Sequence, residues 1–248
     1  MKLSGITKRS ESFVESKIER IFVGGTEKLV CVFDFDKTLT YPMWGGQNVS
    51  TTFSQFRDLG LIDESYTRES KELFEQYHPI EISETIATVE KNEKMQEWWV
   101  KHLELLVKNE ITKEKINDAV ARGNIKLRDK VKEFFIECNK KNIPIVLLSA
   151  GLGDIIVAIL EKEGINFSNV QVLSNFFEFD KEGVAVGYSS PIIHSHNKKE
   201  VELPREILAN ISRRTNVLLA GDAIADLAMI EGIMNENLLS VGFLNESQ

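Results

Sequence analysis

The sequence predicts an α/β fold, a doubly wound parallel sheet with a helical cap inserted after its first strand, and three observations carry that expectation. An apolar run, Leu29-Val30-Cys31-Val32-Phe33, stops abruptly at two carboxylates, Asp34 and Asp36. From residue 127 onward, apolar strand-like runs alternate with helical patterns, which is how parallel strands joined by helical crossovers read. Between these two regions lie several amphipathic segments rich in Glu and Lys, with no convincing long strand. The expected division is a core made of 1–43 and 124–248 and a helical cap over 44–123.

Composition narrows the function classes. The chain has 248 residues, 42% hydrophobic and 27% charged, as in an ordinary globular protein with a sizeable core. A net charge of -8 and a pI near 5.2 argue against a nucleic-acid polymer as partner, because phosphate-backbone affinity needs clustered Lys and Arg. A small anionic substrate is still allowed, since local cations and a metal outweigh a net negative surface. Cys31 and Cys138 form neither a disulfide framework nor a metal-thiolate spacing, and are expected to be buried thiols in a reducing compartment. No apolar run approaches the ~18 residues a bilayer span needs, and the start of the chain lacks an apolar secretory region. The expectation is a cytoplasmic monomer with no membrane contact.

The elements follow in order. Apolar positions Phe13, Val14, Ile18, Ile21 and Phe22 predict a helix over 7–22, ended by Gly24-Gly25, with the first strand at 28–33. In the inserted block, helices are predicted at 50–59, at 63–77 with Asp63 as N-cap and Pro79 beyond its end, at 83–108 and at 112–121. A helix over 127–139 leads to a second strand at 143–148, followed by Ser149-Ala150-Gly151. Then come a helix at 154–162, a strand at 170–173, a hairpin turn at 180–183, a helix at 200–210, a strand at 217–220, a helix at 226–233 and a strand at 238–243.

Three predicted strand ends deliver polar groups to one crevice: Asp34 and Asp36, Ser149, and Asp222 with Asp226. Open parallel sheets bind ligands at that edge. Four carboxylates there would repel one another without a cation, and oxygen-only ligands favour Mg²⁺ paired with a substrate phosphate. His194 and His196 resemble a metal pair by residue type only, and zinc would need further ligands nearby. Taken singly, Asp34 and Asp36 could form a turn, Asp222 and Asp226 could cap a helix, Ser149 could cap the helix after it, and Lys198 could be solvated.

Together, Asp34-Phe35-Asp36-Lys37-Thr38, Ser149, Lys198 and Gly221-Asp222-Ala223-Ile224-Ala225-Asp226 resemble the four motifs of the haloacid-dehalogenase-like phosphatases, whose core is a Rossmann-like parallel sheet. The resemblance implies Asp34 as nucleophile forming an aspartyl-phosphate, Asp36 as general acid and then base, Ser149 on a phosphoryl oxygen, and Lys198 as the positive charge beside the phosphoryl group and Asp34. For Mg²⁺ it implies the Asp34 and Asp222 side chains, the Asp36 backbone carbonyl, and Asp226 through a metal-bound water or Lys198. A finer resemblance over roughly 30–245 rests on Glu75-Gln76-Tyr77-His78-Pro79-Ile80-Glu81, Glu97-Trp98-Trp99, Leu148 to Asp154, Val172 to Phe176, Ile193 to Lys198 and Gly242-Phe243-Leu244-Asn245. These look like the cytosolic pyrimidine 5'-nucleotidases of type III.

That family implies hydrolysis of nucleoside 5'-monophosphates, UMP and CMP first, with a base-contacting cap glutamate at Glu81, a second cap contact at His102, and Ser149 and Ala150 at the phosphate. The second contact is usually serine, so the base preference stays open: imidazole can stack where a hydroxyl can only hydrogen-bond. The same chemistry on 7-methylguanosine monophosphate or on a metabolite such as phosphoserine is the first alternative. A non-catalytic phospho-ligand binder is the second, and the intact set Asp34, Asp36, Lys198 and Asp222 argues against it.

Overall fold

Strand β1 (Leu29–Phe33) is buried on both faces, which is why its sequence is an unbroken apolar run and not an alternation. In the computed structural model, which describes residues 10–245, β1 is the middle of a five-stranded parallel sheet. Its other strands are β4 (Ile145–Leu152), β5 (Val170–Asn175), β8 (Asn216–Gly221) and β9 (Asn237–Gly242), in the spatial order β5-β4-β1-β8-β9. Strand order therefore reverses at β1, and the crevice at its carboxyl end lies between β4 and β8. Register makes this concrete: Phe33 pairs with Leu147 on one side and Ala220 on the other. Asp34, Ser149 and Asp222 consequently leave the sheet at nearly the same level.

Alternate β1 residues serve two cores. Cys31 and Phe33 pack with Phe135 of α6 (Val131–Lys140) and with Ile155, Ile156 and Ile159 of α7 (Gly153–Lys162). Val30 and Val32 face the opposite layer, with Ile207 and Ile211 of α8 (Arg205–Ile211) and Met229. Each such side chain contributes about 1.5–3 kcal/mol by leaving water. Helix α1 (Glu11–Gly24) starts at the N-cap Ser10, whose hydroxyl accepts from the Phe13 amide, and Gly25 at φ 72° ends it. Between β1 and α6 the chain forms a hairpin, β2 (Met43–Trp44) with β3 (Gln47–Asn48), and then α2 (Gln55–Asp58), α3 (Glu64–Glu81), α4 (Thr88–Lys108) and α5 (Lys113–Arg122). Helices α3 and α4 join through Tyr77 stacked on Trp98 at 5.9 Å, with Met95 beside them. A second hairpin, β6 (Phe177–Phe179) with β7 (Ala185–Tyr188), turns at 180–183 as expected. No described helix is long and apolar enough to cross a membrane.

Several elements differ from expectation for identifiable reasons. The helix expected at 50–59 is reduced to Gln55–Asp58. The hydroxyls of Thr51 and Ser54 accept each other's backbone amides, and Ser50 donates to Asp58, which gives the backbone a non-helical alternative. The β2–β3 hairpin was not expected; Gly45 and Gly46 supply φ values of 59° and 79°, the left-handed pair its two-residue turn requires. Helix α3 continues through Pro79 to Glu81, the proline forgoing one backbone bond in the last turn. The helix expected at 83–108 begins only at Thr88. The one expected at 200–210 is split into a 3₁₀ turn, Lys198–Glu200, and α8, with Pro204 as the break. The helix expected at 226–233 is a 3₁₀ segment, Ile224–Ile230, set by the Asp226 carboxylate taking the amides before it. Strand β4 extends past 148 to Leu152 through a register shift. Residues 7–9 of the first expected helix lie outside the described residues.

The irregular end of β4 is held from the side. Buried Asn175 donates to the carbonyls of Ala150 (2.9 Å), Gly151 (3.1 Å) and Ile193 (2.8 Å) and accepts from the Ile193 amide (2.8 Å), and Ser174 adds a bond to Gly151. Asn175→Ala leaves the Ile193 carbonyl and amide without their partner and weakens the hold on Ala150 and Gly151, so thermal and urea unfolding should show a loss of roughly 2–4 kcal/mol. A loss under about 0.5 kcal/mol would refute the brace.

His102 of α4 sits half-buried, 4.8 Å from the Phe53 ring and 3.4 Å from the Tyr66 hydroxyl. Burial, with a smaller push from Arg57, takes its pKa down to about 4. The unfolded chain therefore takes up this proton first, near the ordinary value of about 6.5. Stability from neutral His102 is complete above about pH 6.5 and is lost as pH falls toward 4, at up to about 1.4 kcal/mol per pH unit. In urea titrations between pH 7 and pH 4, His102→Gln should lose less stability than the wild type; equal slopes would contradict this.

Candidate active site

The site begins where β1 stops. The Asp34 amide still completes the sheet by donating to Ala220 at 3.0 Å, so its backbone is fixed while its side chain enters the crevice. There Lys198, almost wholly buried at 6% exposure, donates to Asp34 Oδ1 and to Asp226 Oδ1, both at 2.7 Å. Burial works to discharge this lysine, but the two carboxylates overcome it and hold the pKa above the ordinary lysine value. Burial pushes Asp34 upward, and the Lys198 ammonium works against that push. Neighbouring Lys199 is exposed, so only one of the two lysines reaches the crevice.

Asp226 is oriented by its own loop. Its Oδ2 accepts the amides of Asp222 and Ala223, both at 3.0 Å. Gly221 makes this possible, since a Cβ there would lie 2.4 Å from that oxygen. Asp222 is exposed at the mouth, and its Oδ2 accepts from Asn245 at 3.2 Å. Loss of water around its carboxyl, and then the Asp34 and Asp226 charges, push its pKa up to about 6. Oxygens of Asp34, Asp222 and Asp226 all lie within 4.8 Å of one another, the sole such cluster among the described residues. Three carboxylates against one ammonium leave net negative charge, and an all-oxygen donor set fits a hard cation such as Mg²⁺. With both oxygens of Asp226 already bonded, Asp34 and Asp222 are the side chains better suited to hold it directly.

Asp36 and Ser149 line a second part of the crevice. A Cβ on Gly151 would meet Asp36 Oδ2 at 2.9 Å, Ser149 Oγ at 3.2 Å and Thr52 Oγ1 at 2.3 Å, so the three groups converge on a space that only glycine leaves open. Desolvation raises the Asp36 carboxyl to about 7, with further pushes from Asp34 and Asp222 and opposition from hydrogen bonds to Thr52. Ser149 is buried and its Oγ accepts from the Gly151 amide at 3.1 Å. The Ala150 carbonyl accepts from Trp99 of α4 at 2.7 Å and from Asn175. Trp99 thus ties α4 to the β4 end.

Glu81 and His102, expected at the nucleoside from the cap, are not members of the carboxylate cluster. His102 belongs to the Phe53–Tyr66 packing, and Glu81, at the end of α3, lies beside His196, two residues before Lys198. Burial and Lys91 lower the His196 pKa, while Glu81 favours its charged form. His194 Nδ1 accepts the His196 amide, and neither imidazole joins a metal cluster among the described residues. Three polar groups at the site escaped sequence reasoning. Asn175 and Asn245 stand in stretches whose resemblance was noted without a role. Thr52 stands where a helix was expected, and nothing in its neighbours' pattern marks it.

Comparison with known proteins agrees with this geometry. The family profile of pyrimidine 5'-nucleotidases (UMPH-1) matches residues 37–248. A 7-methylguanosine phosphate-specific 5'-nucleotidase A from Xenopus laevis is 35% identical over 240 residues, covering 96% of this chain and 83% of that protein. The Homo sapiens 7-methylguanosine phosphate-specific 5'-nucleotidase is 32% identical over 96% of this chain and 80% of its own length. A crystal structure of cytosolic 5'-nucleotidase IIIB bound to cytidine superposes with a TM-score of 0.87 at 31% identity, covering 95% of this chain and 80% of that one. Substrate-bound phosphoserine phosphatase, at 19% identity and a TM-score of 0.51 over 86% of this chain and 85% of that one, shares the haloacid-dehalogenase-like fold. The chain belongs to the pyrimidine 5'-nucleotidase (UMPH-1) family and is a phosphomonoester hydrolase built on that fold.

Proposed function

We propose that this enzyme hydrolyses nucleoside 5'-monophosphates, UMP and CMP first, to nucleoside and phosphate through an aspartyl-phosphate on Asp34, with Mg²⁺ as cofactor and residues 44–123 as a cap over the nucleoside. The observation that carries this reading is the Lys198 ammonium bonded to Asp34 inside a cluster of three carboxylates. A charge arrangement of that kind attracts a phosphate ester only together with a cation. Bound Mg²⁺ would be held by the Asp34 and Asp222 carboxylates and the Asp36 carbonyl, and would neutralise phosphoryl oxygens facing the nucleophile.

The residues divide the work. Asp34 attacks phosphorus, and the bond from phosphorus to the 5' oxygen breaks. Asp36, with a carboxyl near pH 7, gives its proton to the departing alkoxide and later takes one from the water that releases phosphate. Lys198 balances charge on the phosphoryl group and on Asp34, while Ser149 donates to a phosphoryl oxygen. Asp226 keeps Lys198 and the Asp222 loop in place. Ala150 borders the phosphate, and Glu81 and His102 act from the cap on the nucleoside. The names of the Xenopus and human relatives favour a second reading, 7-methylguanosine monophosphate as the preferred substrate.

Asp34→Asn should lower kcat by at least about a thousandfold with the fold intact, and chelation by EDTA should abolish turnover until Mg²⁺ is returned. Wild-type turnover in either case would sink the mechanism. Across UMP, CMP, 7-methyl-GMP and phosphoserine, kcat/KM for the best nucleotide should exceed that for phosphoserine by about a hundredfold or more. The order among the nucleotides separates the two readings, and phosphoserine in first place would overturn both.

A further inference from the structure

Thr52 is fully buried, yet it lies outside any helix or strand, in the stretch between β3 and α2. Its amide donates to both oxygens of Asp36, at 3.1 Å and 3.2 Å, and its hydroxyl donates to Asp36 Oδ2 at 2.7 Å. The same hydroxyl accepts from the Leu152 amide at 3.0 Å. An amide can only donate, so it occupies an acceptor site on Oγ1 and leaves the single hydroxyl proton directed at Asp36. Two elements therefore fix one side chain: the Leu152 amide at the end of β4 orients the hydroxyl, and the hydroxyl orients the carboxyl.

Gly151 shows how tightly the three elements meet, since any side chain there would strike Thr52, Asp36 and Ser149 together. The next residue, Phe53, seats the segment on α4 through His102 at 4.8 Å and Trp99 at 6.3 Å. We infer that Thr52 is a positioning residue that holds the Asp36 carboxyl toward the scissile ester oxygen. This rests on the acid/base role proposed for Asp36. Without the hydroxyl the half-buried carboxyl loses its aim, and proton transfer needs hydrogen-bond reach in a fixed geometry.

The test compares Thr52→Val, which keeps the shape and removes the hydroxyl, with Thr52→Ser, which keeps the hydroxyl. First-turnover rates with Mg²⁺ are measured on the preferred nucleotide and on 4-nitrophenyl phosphate, whose leaving group departs without a proton. Thr52→Val should slow the nucleotide reaction about 10- to 100-fold with KM changed less than about threefold, and slow 4-nitrophenyl phosphate far less. Thr52→Ser should recover most of the lost rate. Should Thr52→Val fail to fold in a thermal melt, Thr52→Ala carries the same comparison. Equal losses on both substrates, or equal losses in the Val and Ser variants, would overturn the inference. Asp36→Asn separates the two layers. An impaired Asp36→Asn beside a wild-type-like Thr52→Val overturns the positioning role alone. An Asp36→Asn enzyme at wild-type rate overturns the acid/base reading, and the role of Thr52 with it.

Discussion

The contact on which the rest of the site depends is the Lys198 ammonium between Asp34 and Asp226. Taking a charge out of water costs several kcal/mol, and an unpaired buried lysine would give up its proton. Two carboxylates at 2.7 Å prevent that, and the three residues come from the β1 end, the 3₁₀ turn Lys198–Glu200 and the 3₁₀ segment Ile224–Ile230 after β8. One interaction thus joins three separate parts of the chain at the carboxyl edge of the sheet. The arrangement is still short of positive charge, because Asp222 adds a third carboxylate to the cluster. That shortfall leaves the edge with net negative charge.

Around this centre, uncharged groups supply rigidity. The β4 end leaves its ladder after Leu148 and rejoins β5 at Leu152, and the carbonyls freed between them are taken by Ser174, Asn175 and Trp99. Arg128 works similarly on the other wall, donating to the Thr38 and Lys37 carbonyls at 2.8 Å while its guanidinium lies 4.3 Å from the Phe243 ring. Lys37 has φ 59°, a conformation a lysine adopts only when its surroundings demand it. The loop after Asp34 is bent sharply and clamped in that shape.

Legibility followed the periodicity of each segment. The continuous run in β1 and the alternation after residue 127 encode sheet order strongly, because buried parallel strands tolerate few polar residues. Asp34, Asp222 and Asp226 could be singled out because carboxylates, which are costly to bury, recur at strand ends, whereas Lys198 stood out only through the resemblance of its motif. Thr52 could not, since a threonine in a polar stretch has no pattern of its own and acquires meaning only from Asp36 and Leu152 across the fold. The 3₁₀ form of Ile224–Ile230 was hidden for a related reason: Asp226 reads as an acid in a helix's first turn, but its carboxylate is spent on the amides of 222 and 223. Pro79 misled in the opposite direction, as a strong local signal that the helix could absorb near its end.

The outer clamp has a consequence for how the molecule comes into being. Asn245 donates to the Lys37 carbonyl across 208 positions of sequence, and Lys198 reaches Asp34 across 164. A ribosome therefore releases Asp34 long before it makes the groups that balance and enclose it. Until then Asp34 and Asp36 are two hydrated acids on a nascent strand, with no chemistry of their own. Such distant closures are slow steps of folding, and this one also sets the moment at which the chain becomes an enzyme.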